Sequence, residues 1–381
     1  MRIVVRNFLG LAQIDWQPSG VCLVAGPNGS GKTTLLEAFD FFGRSFQKSA
    51  HEAVRLLGGG RGLKHRSAPA EEPISFVLEV DGVTWELDLS VTGAGVGEFP
   101  AERVTVDGKT LVRRVAGSNE WTLVDERRVD GPEDAPRTCL RAAWEARRLE
   151  DIEPLVRALQ NIRVYDAWWI NQLRQSGSSD IGDSYLHRTG RNLFSVLKTW
   201  RAAPRRYNSQ FEWVREKARL AFYDIFDDIE LSDSEGFVTA RFFQPGEGAG
   251  GEGLPIVRAA DGLLVGLLHL TAVAGARPGS IVGLDEMENQ LHPHAIRVLL
   301  DAMREMAEER ELTVVLTSHS PVLMNEFRGE PEQFYVTEVG RVPAPVRLVE
   351  LHDPRWLSQF SLGDLYEQLR IGAPSAGERA A

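Results

Sequence analysis

The sequence predicts an α/β fold: a mostly parallel sheet, an antiparallel meander near the N-terminus and a helical insertion in the middle of the chain. Three observations carry that expectation. The apolar stretch VCLVA runs straight into a glycine-rich loop and then a helical pattern. Asp81-Gly82 and Asp107-Gly108 each separate two alternating apolar segments, the spelling of tight hairpins. In the last third, apolar strands alternate with helical stretches, the order expected when helices cover both faces of a parallel sheet.

Taken in order, MRIVVRNF, LAQIDW and VCLVAG read as strands, and the loop GPNGSGKT opens a helix from about Lys32 to Phe42. LLGGGRGLKHR reads as a glycine-rich turn, and residues 73–127 as the meander. From about Ala135 to Asp228 the pattern turns helical, with loops at GSSDIGDS and RAAPRR. FVTARFF (237–243) resumes a strand, and QPGEGAGGEGLP is a flexible loop before the next helix. A strand at SIVGLDE, a helix from about His294 to Glu309, a strand at LTVVLTS, a short helix, and strands near QFYVTEV and APVRLVE complete the pattern. The expected division is a first lobe at 1–134, a helical insertion at 135–230, a second lobe at 231–372 and a disordered tail at 373–381.

A chain of 381 residues, 43% of them hydrophobic, can fill a core without staples. Its two cysteines, Cys22 and Cys139, make a disulfide framework implausible, and no stretch suits a membrane span or a secretory signal, so a cytoplasmic location is expected. A net charge of −11 is the opposite of a general nucleic-acid footprint. Any DNA contact must be local, and the 188–219 stretch offers it: nine basic residues (Arg188, Arg191, Lys198, Arg201, Arg205, Arg206, Arg215, Lys217, Arg219) against only Glu212 and Glu216. The alternative there is a solvated helix face.

Gly26, Gly31, Lys32 and Thr33 satisfy G-x-x-x-x-G-K-[ST] in the strand–loop–helix context that a phosphate cradle needs. With Pro27, Asn28, Gly29, Ser30 and Thr34, the loop turns backbone N–H groups toward phosphate oxygens where no Cβ intervenes. Lys32 adds charge near the β- and γ-phosphates, and Thr33 a hydroxyl for Mg²⁺. IVGLDE then supplies Asp285 to hold the metal and Glu286 to polarise an attacking water. LTVVLTSHSP delivers Ser318 and His319 to the end of the next strand, where His319 meets the γ-phosphate.

Together, GPNGSGKTTLLEAF, LQNIRVYDAWWINQLR, GRNLFSVL, ADGLLVGLLHL, LDEMENQLHPH, TSHSPVL and FSLGDLY resemble the ABC-class P-loop ATPases of the SMC, RecF and OLD (overcoming lysogenization defect) group. The likeness is to its stand-alone bacterial AAA family ATPases, and it spans nearly the whole chain. It implies an ATP hydrolase using ATP and Mg²⁺ in a head-to-tail dimer, each nucleotide held between one subunit's glycine loop and the other's signature segment. Here Ala260, Asp261 and Gly262 occupy the signature position, where relatives carry Ser-Asp-Gly or Ser-Gly-Gly. Met287 stands where proline is usual, and Asn289 to His292 would cross the dimer interface. Gln160 is either the Mg²⁺-contacting glutamine of such enzymes or an exposed helix residue. OLD proteins carry a nuclease domain after the ATPase. Only about 60 residues follow His319, without carboxylates spaced for a metal, so no intrinsic nuclease is expected and a separate effector is implied.

The expected function is a nucleotide-dependent dimer switch controlling a partner effector, in phage defence or DNA maintenance. The alternatives are a slow-hydrolysing ATP-bound scaffold and a DNA-gripping RecF-like repair ATPase.

Overall fold

In the computed structural model, residues 1–93, 95–114, 121–123, 128–129, 138–147, 150–234, 236–248, 250–337 and 345–369 are described. Among them, the central sheet runs in the order Ile162–Tyr165, Ile281–Leu284, Thr313–Ser318, Val21–Ala25, Phe334–Val336, Val346–Arg347. Every neighbouring pair is parallel except the last. The loop-bearing strand Val21–Ala25 is buried along its whole length. Its side chains alternate between two cores: Val21, Leu23 and Ala25 face one, Cys22 and Val24 the other. Both faces of the strand are therefore apolar, which is why it reads as an unbroken hydrophobic run.

Against one face lies the helix Lys32–Gln47, backed by an antiparallel sheet in the order Leu11–Trp16, Arg2–Phe8, Ile74–Val80, Val83–Thr92, Gly95–Val106, Lys109–Arg114, Trp121–Leu123, Arg128–Val129. Aromatic rings lock the two together: Phe41 stacks on Phe76 at 4.3 Å between centroids, and Phe42 meets Trp85 edge-on. The other face is covered by the helices Leu193–Ala202, Pro204–Ala221, Asp261–Ala274 and Pro293–Arg310. Asp261–Ala274 is apolar nearly all round because it is buried nearly all round.

Several elements depart from the sequence pattern. The helix after the loop continues past Phe42 to Gln47. Ahead of the stretch expected as a glycine turn stands a helix, Ala50–Leu56, whose Ser49 hydroxyl accepts from the Glu52 amide, and within the stretch lies a single helical turn at Gly60–Leu63. Ser-Ala-His-Glu is a capping-box spelling, outweighed in the sequence by the three glycines behind it. Within the stretch expected to be helical, Ile162–Tyr165 is a strand that enters the parallel sheet beside Ile281–Leu284. Its four residues hold two β-branched side chains and a tyrosine, too short a run to stand out between helices. Asp228–Ser234 is also a strand, folded back on Phe237–Phe243 through Gly236 at φ 85°. The disordered tail expected at 373–381 lies outside the described residues.

Candidate functional site

Parallel register lines up the ends of the strands. Ala25 pairs with Ser318 and Val336, and Leu316 with Leu284, which pairs in turn with Tyr165. The segments that follow therefore leave one sheet edge side by side, carrying Gly26, His319, Thr337, Asp285 and Asp166.

The glycine loop folds tightly against this edge. Gly29 and Gly31 sit at φ 79° and 94°, backbone that other residues rarely adopt. Gly26 is fixed by crowding: a Cβ there would stand 2.3 Å from Thr337 Oγ1 and 2.5 Å from the Thr337 carbonyl. Thr337 bonds the Ala25 carbonyl through its amide at 2.8 Å and shares a 2.7 Å hydrogen bond with the Ser30 hydroxyl. Lys32 is buried, and its ammonium donates to the Gly26 carbonyl at 2.7 Å and the Pro27 carbonyl at 3.1 Å. Burial lowers its pKa, while the charges of Asp285, Glu286 and Glu288 pull it back up. Asn28 lies exposed at the loop tip.

The helix that begins at Lys32 has no side-chain cap at Gly31, and the Thr34 hydroxyl is engaged with Glu37. Its first amides are thus open to an outside acceptor, and the glycine backbone leaves room for one. These features fit a phosphate group.

The carboxylates are held by a chain of hydroxyls. Thr33 Oγ1 donates to Asp285 Oδ2 at 2.9 Å, joining residues 252 positions apart. Thr317 Oγ1 donates to the other Asp285 oxygen and accepts from the Glu286 amide at 3.0 Å. Burial raises the pKa of Asp285, opposed by those two hydroxyl bonds. A hydroxyl beside a half-buried carboxylate is a donor set suited to Mg²⁺. Glu286 stands at φ 47°, uncommon for a non-glycine residue. Asn289 Nδ2 donates to Glu286 Oε2 at 2.8 Å, and His319 Nδ1 lies 3.5 Å from Oε1.

Glu288 was not singled out in the sequence. It is buried, accepts from the Ser318 hydroxyl at 2.6 Å and the His319 amide at 3.3 Å, and leaves Oε2 without a partner. It thereby ties the segment after Ile281–Leu284 to the segment after Thr313–Ser318. Its spacing two residues beyond Glu286 was visible, but its burial was not.

Ala260 precedes the first turn of Asp261–Ala274 and is its cap, with no side-chain bond. Asp261 pairs with Arg174, which also donates to the Ala259 carbonyl at 2.9 Å. A Cβ on Gly262 would come within 2.7 Å of the Gln290 carbonyl, so glycine allows this turn to meet the 289–292 segment. Residues 260–262 thus meet Arg174 and Gln290. Gln160 ends the helix Glu153–Gln160, before the strand Ile162–Tyr165, and so lies at the opposite sheet edge from Thr33 and Asp285. The residue that this strand delivers to the site edge is Asp166, gripped by Arg188, which also reaches Asp40 of the loop helix at 2.5 Å.

The basic 188–219 stretch is more neutral than its sequence. Arg188 is paired with Asp166 and Asp40, Lys198 with Asp180 and Asp233, Arg215 with Glu212 and Asp228, Lys217 with Glu305, and Arg219 with Asp227. The count of only two opposing acids is corrected by acids that arrive from distant segments. Among the described residues, no helix is long and apolar enough to cross a membrane.

A family model described as "AAA domain, putative AbiEii toxin, Type IV TA system" (AAA_21) matches residues 21–325, from the loop-bearing strand past His319. The chain belongs to the AAA_21 family. Among curated proteins, this AAA_21 member is similar to the DNA replication and repair protein RecF of Pseudoalteromonas atlantica, 44% identical over 55 residues, 14% of this chain and 15% of RecF. It is also similar to the hemin import ATP-binding protein HmuV of Mesorhizobium japonicum, 28% identical over 115 residues, 29% of this chain and 42% of HmuV. The matches thus span less than half the length of either relative. Solved structures similar to it include an SMC head bound to the C-terminal winged-helix domain of ScpA (TM-score 0.48, 11% identity, 92% of this chain and 99% of that one). Another is the SMC head domain of Thermotoga maritima (TM-score 0.40, 14% identity, 88% and 93%). The AAA_21 family is one of P-loop ATPases.

Proposed function

We propose that this chain binds and hydrolyses ATP with Mg²⁺, and that the nucleotide drives a homodimer switch controlling a separate effector protein. The observation that carries the reading is the bonded path from Thr33 through Asp285 and Thr317 to the Glu286 amide, which joins the phosphate loop to the two strand ends beside it. In this reading the amides of Gly29 to Thr34 and the Lys32 ammonium hold the phosphates, while Thr33 and Asp285 hold the metal. Mg²⁺, when bound, would offset charge on the phosphate oxygens. Glu286 takes the proton of the attacking water, oriented by Asn289 and His319. His319, tethered through its amide to Glu288, meets the γ-phosphate. Ala260, Asp261 and Gly262 present a helix N-terminus to the nucleotide of the second subunit.

Purified protein should hydrolyse Mg-ATP, and Glu286→Gln should lose turnover by roughly 10²-fold or more while forming a longer-lived ATP dimer. Equal turnover in that variant would remove Glu286 from its role. The lack of a hydroxyl at Ala260 favours a second reading, a scaffold that retains ATP. A single-turnover experiment separates the two: ADP recovered from the protein supports the switch, intact ATP the scaffold. DNA gripping through 188–219, in a RecF-like repair role, rests on residues such as Arg205 and Arg206, which have no acidic partner among the described residues. Phage defence or DNA maintenance, and a cytoplasmic site of action, complete the proposal.

A further inference from the structure

A cavity of about 210 Å³ lies beside the first two strands of the parallel sheet, walled in part by the helix Pro204–Ala221 and the end of Asp261–Ala274. Asn161 and Ser280, the residues just before Ile162–Tyr165 and Ile281–Leu284, line it, whereas Asp166 and Asp285 lie beyond the other ends of those strands. It is therefore separate from the glycine-loop site. Arg163, Arg206, Arg277 and Arg310 converge on it with Tyr185 and Tyr207, and among the described residues no aspartate or glutamate lines it.

That composition is unusual in a chain of net charge −11, where most of the neighbouring basic side chains are ion-paired. Among the described residues, none of these four guanidinium groups has an ion-pair partner. Arg163 and Arg310 each commit only Nη1, to the Gln160 and Ile162 carbonyls and to the Ala274 and Ala276 carbonyls. The rest of each fork is left without an acceptor among the described residues. Two guanidinium planes also lie over rings, Arg163 at 5.0 Å from the Tyr185 centroid and Arg206 at 5.1 Å from that of Tyr207. Burial disfavours the charge on Arg310, a cost that an anion beside it would offset.

We propose that this cavity is a second ligand site, for a small phosphate ester bearing a flat ring, the chemistry of a single nucleotide. The arginine forks suit phosphate oxygens, and the tyrosines offer faces for the ring. A volume of this size admits one small molecule and not a polymer. Because the site lies along strands whose far ends carry Asp166 and Asp285, a bound ligand would stiffen the sheet edge that holds the metal carboxylates.

The test is equilibrium dialysis of the four nucleoside 5′-monophosphates against the Lys32→Ala protein, in which the glycine loop is disabled, with thermal melting to show that each variant is folded. At least one monophosphate should bind with one site per chain, more tightly than inorganic phosphate. Arg206→Ala, an exposed position, should weaken it at least tenfold, and Tyr207→Ala should erase the preference over phosphate. Absence of binding by all four at millimolar concentration overturns the proposal, as does binding that both variants leave unchanged. Failure of the glycine-loop reading would show separately, as Mg-ATP binding by the parent protein that Lys32→Ala does not alter.

Discussion

At the scale of single residues, the site combines groups whose burial is unfavourable by itself. Asp285 has its pKa raised by burial, so its ionised form costs the folded protein stability above that raised pKa, and the cost disappears as pH falls through it. Asp285→Asn should therefore raise the melting temperature at neutral pH by a few degrees, on the order of 1 kcal/mol, and the gap from the parent should close on acidification. Thermal melts of the two proteins across pH check this, and a gap that widens at low pH would contradict it. The same substitution should abolish Mg²⁺-dependent turnover. At Gly26 the limit is space: Gly26→Ala forces a methyl into Thr337 and should cost roughly 1–3 kcal/mol along with nucleotide binding, measured by urea denaturation and calorimetric titration.

At the scale of elements, Arg188 is the connection with the largest consequence. It comes from the segment expected to be a helical insertion, yet it bonds both Asp166 at the end of a sheet strand and Asp40 in the helix that follows the glycine loop. Its loss leaves Asp166 without its guanidinium partner while Asp40 keeps Arg44, so Arg188→Ala should destabilise the protein by about 2 kcal/mol in urea titrations. That connection also marks where sequence reading stopped. The loop, the acidic pair and His319 were legible because each sits at a strand end with a strong local spelling: glycines that require positive φ, or an apolar run that stops at a charge. The strand Ile162–Tyr165 was not, since four residues carry too little periodicity against helices on both sides. Without it, Asp166 could not be seen to share an edge with Asp285, and Gln160 stood as a candidate from the wrong end of the same strand. Glu288 and the acidic partners of 188–219 were hidden for a related reason, because burial and pairing between distant segments are properties of the fold.

At the scale of the whole molecule, the turn at Ala260–Gly262 meets Arg174 and the 289–292 segment, which is tied in turn to Glu286 through Asn289. If the proposed dimer forms, Ala260→Ser restores a hydroxyl at its nucleotide and should tighten ATP-induced dimerisation by roughly fivefold, the worth of about one hydrogen bond, read by sedimentation. No change on substitution would count against the trans contact.

The Thr337 wall carries a last consequence. The family match ends at residue 325, yet the strand beside the loop-bearing strand comes later, at Phe334–Val336, and is followed by Thr337, which bonds Ala25 and Ser30 and walls Gly26. A chain cut after the matched region would keep the glycine loop, Asp285, Glu286 and His319 but lose the threonine that walls the loop's first glycine.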